Sequence, residues 1–381
     1  MLRRADGWFP SNLESMAKPR SWLLAAIASI CVLAGCGQAA PPQHLKVASP
    51  RLSAFWHRPI AIEADVLLPP SYATSKSKRY PVIYWIHAFG GSYHIGRTAS
   101  RNWRNAMARA GTEYIVVSLN AAFNGVHDAF ADSANNGPWG TALVREFIPA
   151  FDRDFRTIPA QRFVAGHSSG GWTALWLQVN YPRVFSGAWS IAPDPVDFRD
   201  FTGPDLTRIP PQNFYTDSRG REYPFDRRAG HDVTTLRDFV QRVPWAGAQF
   251  DSFDAVFSPR GAGGRPEPLF DRRTGAIDAG VARYWEAHYD IDALLQRTWA
   301  QNGPSLRDKL HVFVGTVDTY HLDGPVRRFA SEMATLHGSA EVVFVQDADH
   351  NDIFKKGDLI DRMVLEMTHS DDSADVVRSA R

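Results

Sequence analysis

The sequence predicts an α/β protein: a doubly wound, mostly parallel sheet with a large inserted cap region. Three observations carry this. Short apolar runs of buried-strand type alternate with helix-compatible segments from about residue 60 to 191, and again from 310 to 367. One strand-to-helix junction, Phe163-Val-Ala-Gly-His-Ser-Ser-Gly-Gly-Trp172, contains Gly166-His167-Ser168-Ser169-Gly170, a match to G-x-S-x-G with a strand before it and a helix after. Between Pro193 and about Arg307 the rhythm stops, and Pro, Gly, Asp, Arg and aromatic residues dominate. A loop of that length is foreign to a compact domain, so 193–307 is expected to be a cap laid over the carboxyl edge of the sheet.

The elements follow in order. Lys18 and Arg20 precede an apolar stretch, Trp22 to Leu33, of signal-peptide length and too short for a comfortable membrane span. Residues 1–35 are expected to be a signal peptide, of which 1–15 read as an over-called start because Met16 opens a more conventional one. Leu33-Ala34-Gly35-Cys36 resembles the bacterial lipobox, which implies cleavage before Cys36, lipid attachment to it, and an exported protein tethered in the cell envelope through residues 36–45. Ile60–Leu68, Tyr80–His87 and Tyr114–Leu119 read as strands, with a helix over Thr98–Ala110 that Gly111 stops. Leu143/Val144, Phe147/Ile148, Phe151 and Phe155 recur at helical spacing, and Pro149 within them predicts a kink. After the Ser168 junction come a strand at Val184–Ile191 and the insert, with helical patches at Val233–Val243 and Ile277–Ala300. A strand at Leu310–Val314, a helix at Pro325–Leu336, a strand at Val342–Val345 and a last helix around Ile360–Met367 complete the domain, 46–368. The polar tail 369–381 is expected to be disordered.

Composition removes several classes of function. Lys and Arg number 42 against 41 Asp and Glu, without long runs of one sign, so nothing points to nucleic acid. Both cysteines lie in the first forty residues, leaving no disulfide framework and no cysteine metal site in the domain. Asp347-Ala-Asp-His-Asn351 has the start of a calcium-loop spacing, but lacks the glycine at the sixth position and the glutamate at the twelfth. No H-E-x-x-H or H-x-H pair supports zinc among the 13 histidines. No cofactor or metal is implied.

The G-x-S-x-G frame centres on Ser168, because Ser169 would place His167 where a small residue is needed. A serine hydroxyl needs a base, a group that orients the base, and donors for the oxyanion. In a strand–helix architecture of this kind the acid and the histidine follow the serine on loops after later strands. Asp318 follows the Leu310–Val314 strand, and His350 follows the Val342–Val345 strand. Asp323 and Asp349 are rival acids. Oxyanion donors are expected from the Ser169 N–H and from the loop after Ile86, with Phe89 first and Gly90 second. His87, His94 and His127 come near on their loops as structural or substrate-contact residues, and His167 is expected to face the sheet. The insert aromatics Phe214, Tyr215, Tyr223, Phe225, Trp245, Phe250, Phe253, Tyr284, Trp285 and Tyr289 either line a pocket or form the cap's own core.

The chain resembles the putative-esterase family of α/β-hydrolases, which includes esterase D, feruloyl esterase modules, enterochelin-esterase-like enzymes and mycolyltransferases. The residues that carry the resemblance are Leu67-Leu-Pro-Pro-Ser-Tyr72, Tyr80-Pro-Val-Ile-Tyr-Trp-Ile-His87, Glu146-Phe-Ile-Pro149, Phe155-Arg-Thr157, Ala165-Gly-His-Ser-Ser-Gly-Gly-Trp-Thr-Ala-Leu175, Tyr181-Pro-Arg-Val-Phe185 and Gly315-Thr-Val-Asp318. They span about 46–192 and 308–365 and leave out the insert. Ala88 stands where members usually have glycine. The expectation is a serine hydrolase that cleaves small-molecule or sugar esters through an acyl-enzyme on Ser168. The alternatives are an acyltransferase using the same triad on a sugar hydroxyl, a serine peptidase of related fold, and a non-catalytic envelope binding protein.

Overall fold

The computed structural model describes the backbone of residues 40–379, and the side chains of these except 244–247 and 371–379. The expected signal segment, Cys36 and the Trp245 side chain lie outside the described residues. Among those described, no helix is long and apolar enough to cross a membrane.

Eight strands form the main sheet: β1 (Gln43–Ala48), β2 (Ala61–Leu67), β3 (Tyr80–Ile86), β4 (Ile115–Leu119), β5 (Thr157–His167), β6 (Gly187–Ile191), β7 (Leu310–Gly315) and β8 (Glu341–Val345). Their order is β1-β2-β4-β3-β5-β6-β7-β8. β1 and β2 join antiparallel, and every pairing from β4 to β8 is parallel. β1 starts at Gln43, inside the stretch expected to be tether. The main helices are α1 (Arg97–Ala110), α2 (Ser169–Asn180), α3 (Pro244–Phe257), α4 (Ala279–Tyr289), α5 (Ile291–Leu306), α6 (Asp323–Thr335) and α7 (Leu359–Ser379). α7 continues through the polar stretch expected to be an unstructured tail.

Side chains of a strand alternate between faces, and here both faces are covered. Phe163, Ala165, Trp189 and Ile191 join Trp103, Met107, Met363 and Val364 of α1 and α7 in one core layer. Val164 and Ala188 point the other way, into a layer with Phe147, Phe151, Ala174 and Leu177. Burial on both sides is why these strands read as unbroken apolar runs. The expected kink at Pro149 takes another form. Leu143–Phe147 widens into a π-helical turn, and a new helix starts at Ile148 with Pro149 in its first turn, where no N–H is required.

The insert is smaller than expected and belongs to the domain core. α5 packs on α2 and hands the chain to β7, so it is the crossover helix of the sheet, and the insert proper ends near residue 290. Its remainder is a hairpin (Pro224–Arg228 with His231–Thr235), a short helix at Leu236–Arg242, α3 and α4. Phe214, Tyr215, Phe225, Phe250, Phe253, Trp285 and Tyr289 are buried in one cluster with Trp172 and Trp176 of α2. Trp172 lies 4.8 Å from Phe257, and Trp176 lies 5.5 Å from Tyr289, centroid to centroid. Tyr223 and Tyr284 pack half-buried at the margin. Each large side chain in such a cluster contributes about 1.5–3 kcal/mol by burial, so the cap is docked on α2 as core.

Candidate active site

The strand order reverses beside β3 and β5, so the loops after these two strands open a crevice at the carboxyl edge. Ser168 stands there. It has φ 58° and ψ −120°, a strained conformation that turns the chain from β5 into α2 within one residue. The flanking glycines are needed for close approach. A Cβ on Gly166 would lie 2.2 Å from the Gly170 carbonyl oxygen, and one on Gly170 would lie 2.2 Å from that of Ile86. The Ser168 N–H donates to the Ile191 carbonyl at 2.9 Å, fastening the elbow to β6.

Asp318 and His350 meet as expected. His350 Nδ1 lies 2.9 Å from Asp318 Oδ2, and both residues are buried. Asp318 Oδ1 accepts the N–H groups of Tyr320 (2.9 Å) and Leu322 (3.3 Å). Burial alone would raise the carboxyl, but the charge and hydrogen bond of His350 and these two N–H groups hold it below the ordinary range. Burial likewise pushes the His350 imidazole down, and Asp318 more than reverses this, leaving it raised. The two loops interlock. A Cβ on Gly315 would lie 2.0 Å from the Ala348 carbonyl oxygen, which accepts the Val317 N–H at 3.2 Å. Asp323 pairs with Arg227 at 2.8 Å, and Asp349 caps its own turn through the Asn351 and Asp352 N–H groups. Neither touches His350 among the described hydrogen bonds.

The loop after β3, where oxyanion donors are expected, is held by two histidines. His87 Nε2 accepts the Ala121 N–H at 3.1 Å, so its proton is on Nδ1, which donates to the Ala88 carbonyl at 2.8 Å. His127 Nδ1 accepts the Ala129 N–H at 3.2 Å, so its Nε2–H donates to the His87 carbonyl at 3.0 Å. Burial lowers both imidazoles, His127 to about 3, and keeps them neutral. The Ala88 carbonyl accepts the Gly91 N–H at 2.9 Å across a turn in which Gly90 has φ +67°. Among the described residues, the N–H groups of Phe89, Gly90 and Ser169 have no protein acceptor. Phe89 and Ser169 line the same crevice. His94 is exposed, 3.3 Å from Asp65. His167 is engaged with the loop after β8: its Nε2 lies 2.9 Å from the His350 carbonyl oxygen, and burial lowers it to about 3, so it donates there as a neutral ring.

Sequence reasoning missed Asp194. It follows β6 in Ala192-Pro-Asp-Pro195, is buried, and accepts the Ser169 hydroxyl at Oδ2 (2.5 Å) and the Ser168 hydroxyl at Oδ1 (3.5 Å). Burial pushes it up to about 6. Its signal was available: a carboxylate in the first loop after a sheet strand, at the carboxyl edge. Among the described residues, no hydrogen bond joins Ser168 to His350; the hydroxyl faces Asp194. A separate group, His311, Glu341 and Glu366, brings possible metal-ligand atoms within 4.8 Å of one another, but the Arg362 guanidinium already bonds both carboxylates there, at 2.6 and 2.5 Å.

A mostly parallel sheet of this order, with a strained serine elbow after β5, is the α/β-hydrolase fold. Residues 59–310 match the model of the family described as "Putative esterase", and the chain belongs to that family: it is a carboxylic ester hydrolase. The match ends before Asp318 and His350, whose placement rests on the geometry above. Solved structures agree on the fold. A ferulic acid esterase is 15% identical, covering 87% of this chain and 99% of that one with a TM-score of 0.53. An S-formylglutathione hydrolase (FrmB) from Staphylococcus aureus is 13% identical, covering 86% and 98% with a TM-score of 0.51. One from Agrobacterium tumefaciens is 14% identical, covering 87% and 97% with a TM-score of 0.50. No curated protein matched the sequence.

Proposed function

We propose that the protein hydrolyses carboxylic esters through an acyl-enzyme on Ser168, with His350 as base, Asp318 as its orienting acid, and the Ser169 and Phe89 N–H groups as the oxyanion hole. The observation that carries this is the buried Asp318–His350 hydrogen bond of 2.9 Å beside a serine elbow. Asp318 on Nδ1 fixes the tautomer in which Nε2 is free to accept a proton. Ser168 rotates from Asp194 toward His350, gives its proton to Nε2, and its Oγ bonds to the ester carbonyl carbon. The alcohol leaves with the proton from His350. Water then gives a proton to His350, its oxygen attacks the acyl carbon, and the proton returns to Ser168 as the acid departs.

Ser168→Ala is expected to abolish both p-nitrophenyl ester turnover and fluorophosphonate labelling. Labelling that persists in the variant would place the nucleophile elsewhere. From the Leu33-Ala-Gly-Cys36 pattern alone we further propose export and lipid attachment at Cys36. A mature N-terminus without an acylated cysteine, measured by mass spectrometry, would refute that.

A further inference from the structure

The mechanism above gives Asp194 no task, yet it sits against the nucleophile. Two small crevices open on it. One, of about 10 Å³, is lined by Phe89, Trp172, Phe253 and Phe257; the other, of about 20 Å³, by Phe201, Phe225, Tyr320 and Leu322. Gln249 borders both. Among the described residues no lysine or arginine pairs with Asp194, and the opposing charge acting on it is that of His350.

Acylation changes its hydrogen bonding. A carboxylate has about four acceptor sites on its two oxygens. Oδ2 keeps the Ser169 hydroxyl at 2.5 Å, but among the described residues the only side-chain donor to Oδ1 is the Ser168 hydroxyl at 3.5 Å. Once Oγ carries the acyl group it has no proton to give, and a buried oxygen is left facing a crevice. An unpaired buried acceptor is costly, and a negative charge beside a developing oxyanion opposes catalysis. A donor on the substrate removes both penalties. A substituent on the carbon next to the ester carbonyl lies about 3 Å from Oγ by ordinary bond lengths, and turning Oγ to His350 vacates the side on which Oδ1 stood 3.5 Å away, so a substituent directed to that side has Oδ1 as its hydrogen-bond acceptor. Crevices of about 10 and 20 Å³ take a group the size of one water.

We infer that Asp194 is a specificity-determining residue that accepts a hydrogen bond from a hydroxyl or ammonium group on the carbon adjacent to the ester carbonyl, so that the preferred substrates are short 2-hydroxyacyl or 2-aminoacyl esters. This rests on Ser168 being the nucleophile. Burial holds the carboxyl at about 6, so it is ionised and accepting at about pH 8.

The test compares the 4-nitrophenyl esters of propionic, 2-methoxypropionic, 2-hydroxypropionic and 2-aminopropionic acids at about pH 8, each normalised to its uncatalysed hydrolysis. The methoxy ester has the electron-withdrawing oxygen without the donor. The expected kcat/KM for the hydroxy or the amino ester is ten- to a hundredfold above the methoxy and plain esters; which of the two gains tells the donor. In Asp194→Ala the ratio is expected to fall to within about twofold of unity. Asp194→Asn, which retains a partner for the Ser169 hydroxyl, is the second variant and is expected to lose the preference for the ammonium. Fluorophosphonate labelling of Ser168 in each protein reports an intact nucleophile. Labelled wild type without preference for a donor, or a preference that survives in labelled Asp194→Ala, overturns the inference while leaving the acyl-enzyme intact. Failure of wild-type Ser168 to label overturns the mechanism, and the inference with it.

Discussion

Replacing Asp318 by asparagine isolates the work of one proton position. The carbonyl oxygen of the new amide is needed where Oδ1 now accepts from Tyr320 N–H at 2.9 Å and Leu322 N–H at 3.3 Å, since an NH2 group there would face two donors. The NH2 therefore occupies the Oδ2 position, 2.9 Å from His350 Nδ1. Imidazole must then accept at Nδ1 and carry its proton on Nε2, where it cannot take one from Ser168. The wrong tautomer together with the lost imidazolium partner costs about 10³- to 10⁴-fold in kcat, or about 4–5.5 kcal/mol of transition-state stabilisation. The pH profile changes as well. His350 acts as a base only when neutral, and its net raised pKa puts the acid limb of wild-type kcat/KM above the ordinary imidazole value of about 6.5. Without the anion, burial dominates and the limb moves to lower pH. The assay is kcat/KM for a p-nitrophenyl ester from about pH 5 to 9, with circular dichroism to show that the variant folds. A loss below tenfold, or an acid limb that stays in place, would refute the assignment of Asp318.

Two further outcomes follow from backbone packing and buried imidazoles. Gly170→Ala puts a methyl 2.2 Å from the Ile86 oxygen and 2.7 Å from that of His87, both main chain in the middle of the site, so a loss on the order of 3 kcal/mol or more is expected in urea unfolding; a midpoint equal to wild type contradicts the elbow packing. His127→Ala strips the partners from the buried His87 carbonyl and Ala129 N–H, costing about 1–3 kcal/mol at neutral pH and lowering kcat more than it alters KM. Because burial depresses His127 to about 3, the unfolded chain protonates this residue first as pH falls below about 6.5, and the stability gap between wild type and variant narrows from there toward about pH 4. A gap that is constant across this range would mean that His127 is not held neutral.

Much of the candidate site was legible because the placement of its proposed groups is local in sequence. The Gly166–Gly170 spacing, the acid after β7 and the histidine after β8 each depend on which loop a residue occupies, and loops follow from strand order. Asp323 and Asp349 were separable from Asp318 only by direction: one turns to Arg227, the other back on its own turn. Asp194 and His167 escaped for a related reason. A single carboxylate between two prolines, or a histidine inside the elbow, acquires meaning only from groups brought to it across the sheet: the Ser168 and Ser169 hydroxyls for one, the His350 carbonyl for the other. The insert boundary was misjudged because α5 carries Asn302, Gly303 and Pro304, a composition that hides its role as the crossover into β7.

The hydrogen bonds of the insert argue that it builds the site as well as covering it. Its hairpin reaches the acid loop, where the Arg227 N–H donates to the Thr319 carbonyl at 2.8 Å and the guanidinium holds Asp323 at 2.8 Å. Ser252 of α3 accepts the His127 N–H at 2.9 Å and donates to the His127 carbonyl at 3.2 Å, and His127 in turn holds the loop of the proposed oxyanion donors. One segment thus fastens both the Asp318 loop and the loop of the proposed oxyanion donors, while its Phe250, Phe253 and Gln249 wall the crevices beside Asp194. Substitutions in α3 that open room for a larger acyl group therefore act on the same contacts that position the donors. Selectivity and kcat are expected to move together there, whereas at Asp194 a change in donor preference is the primary effect.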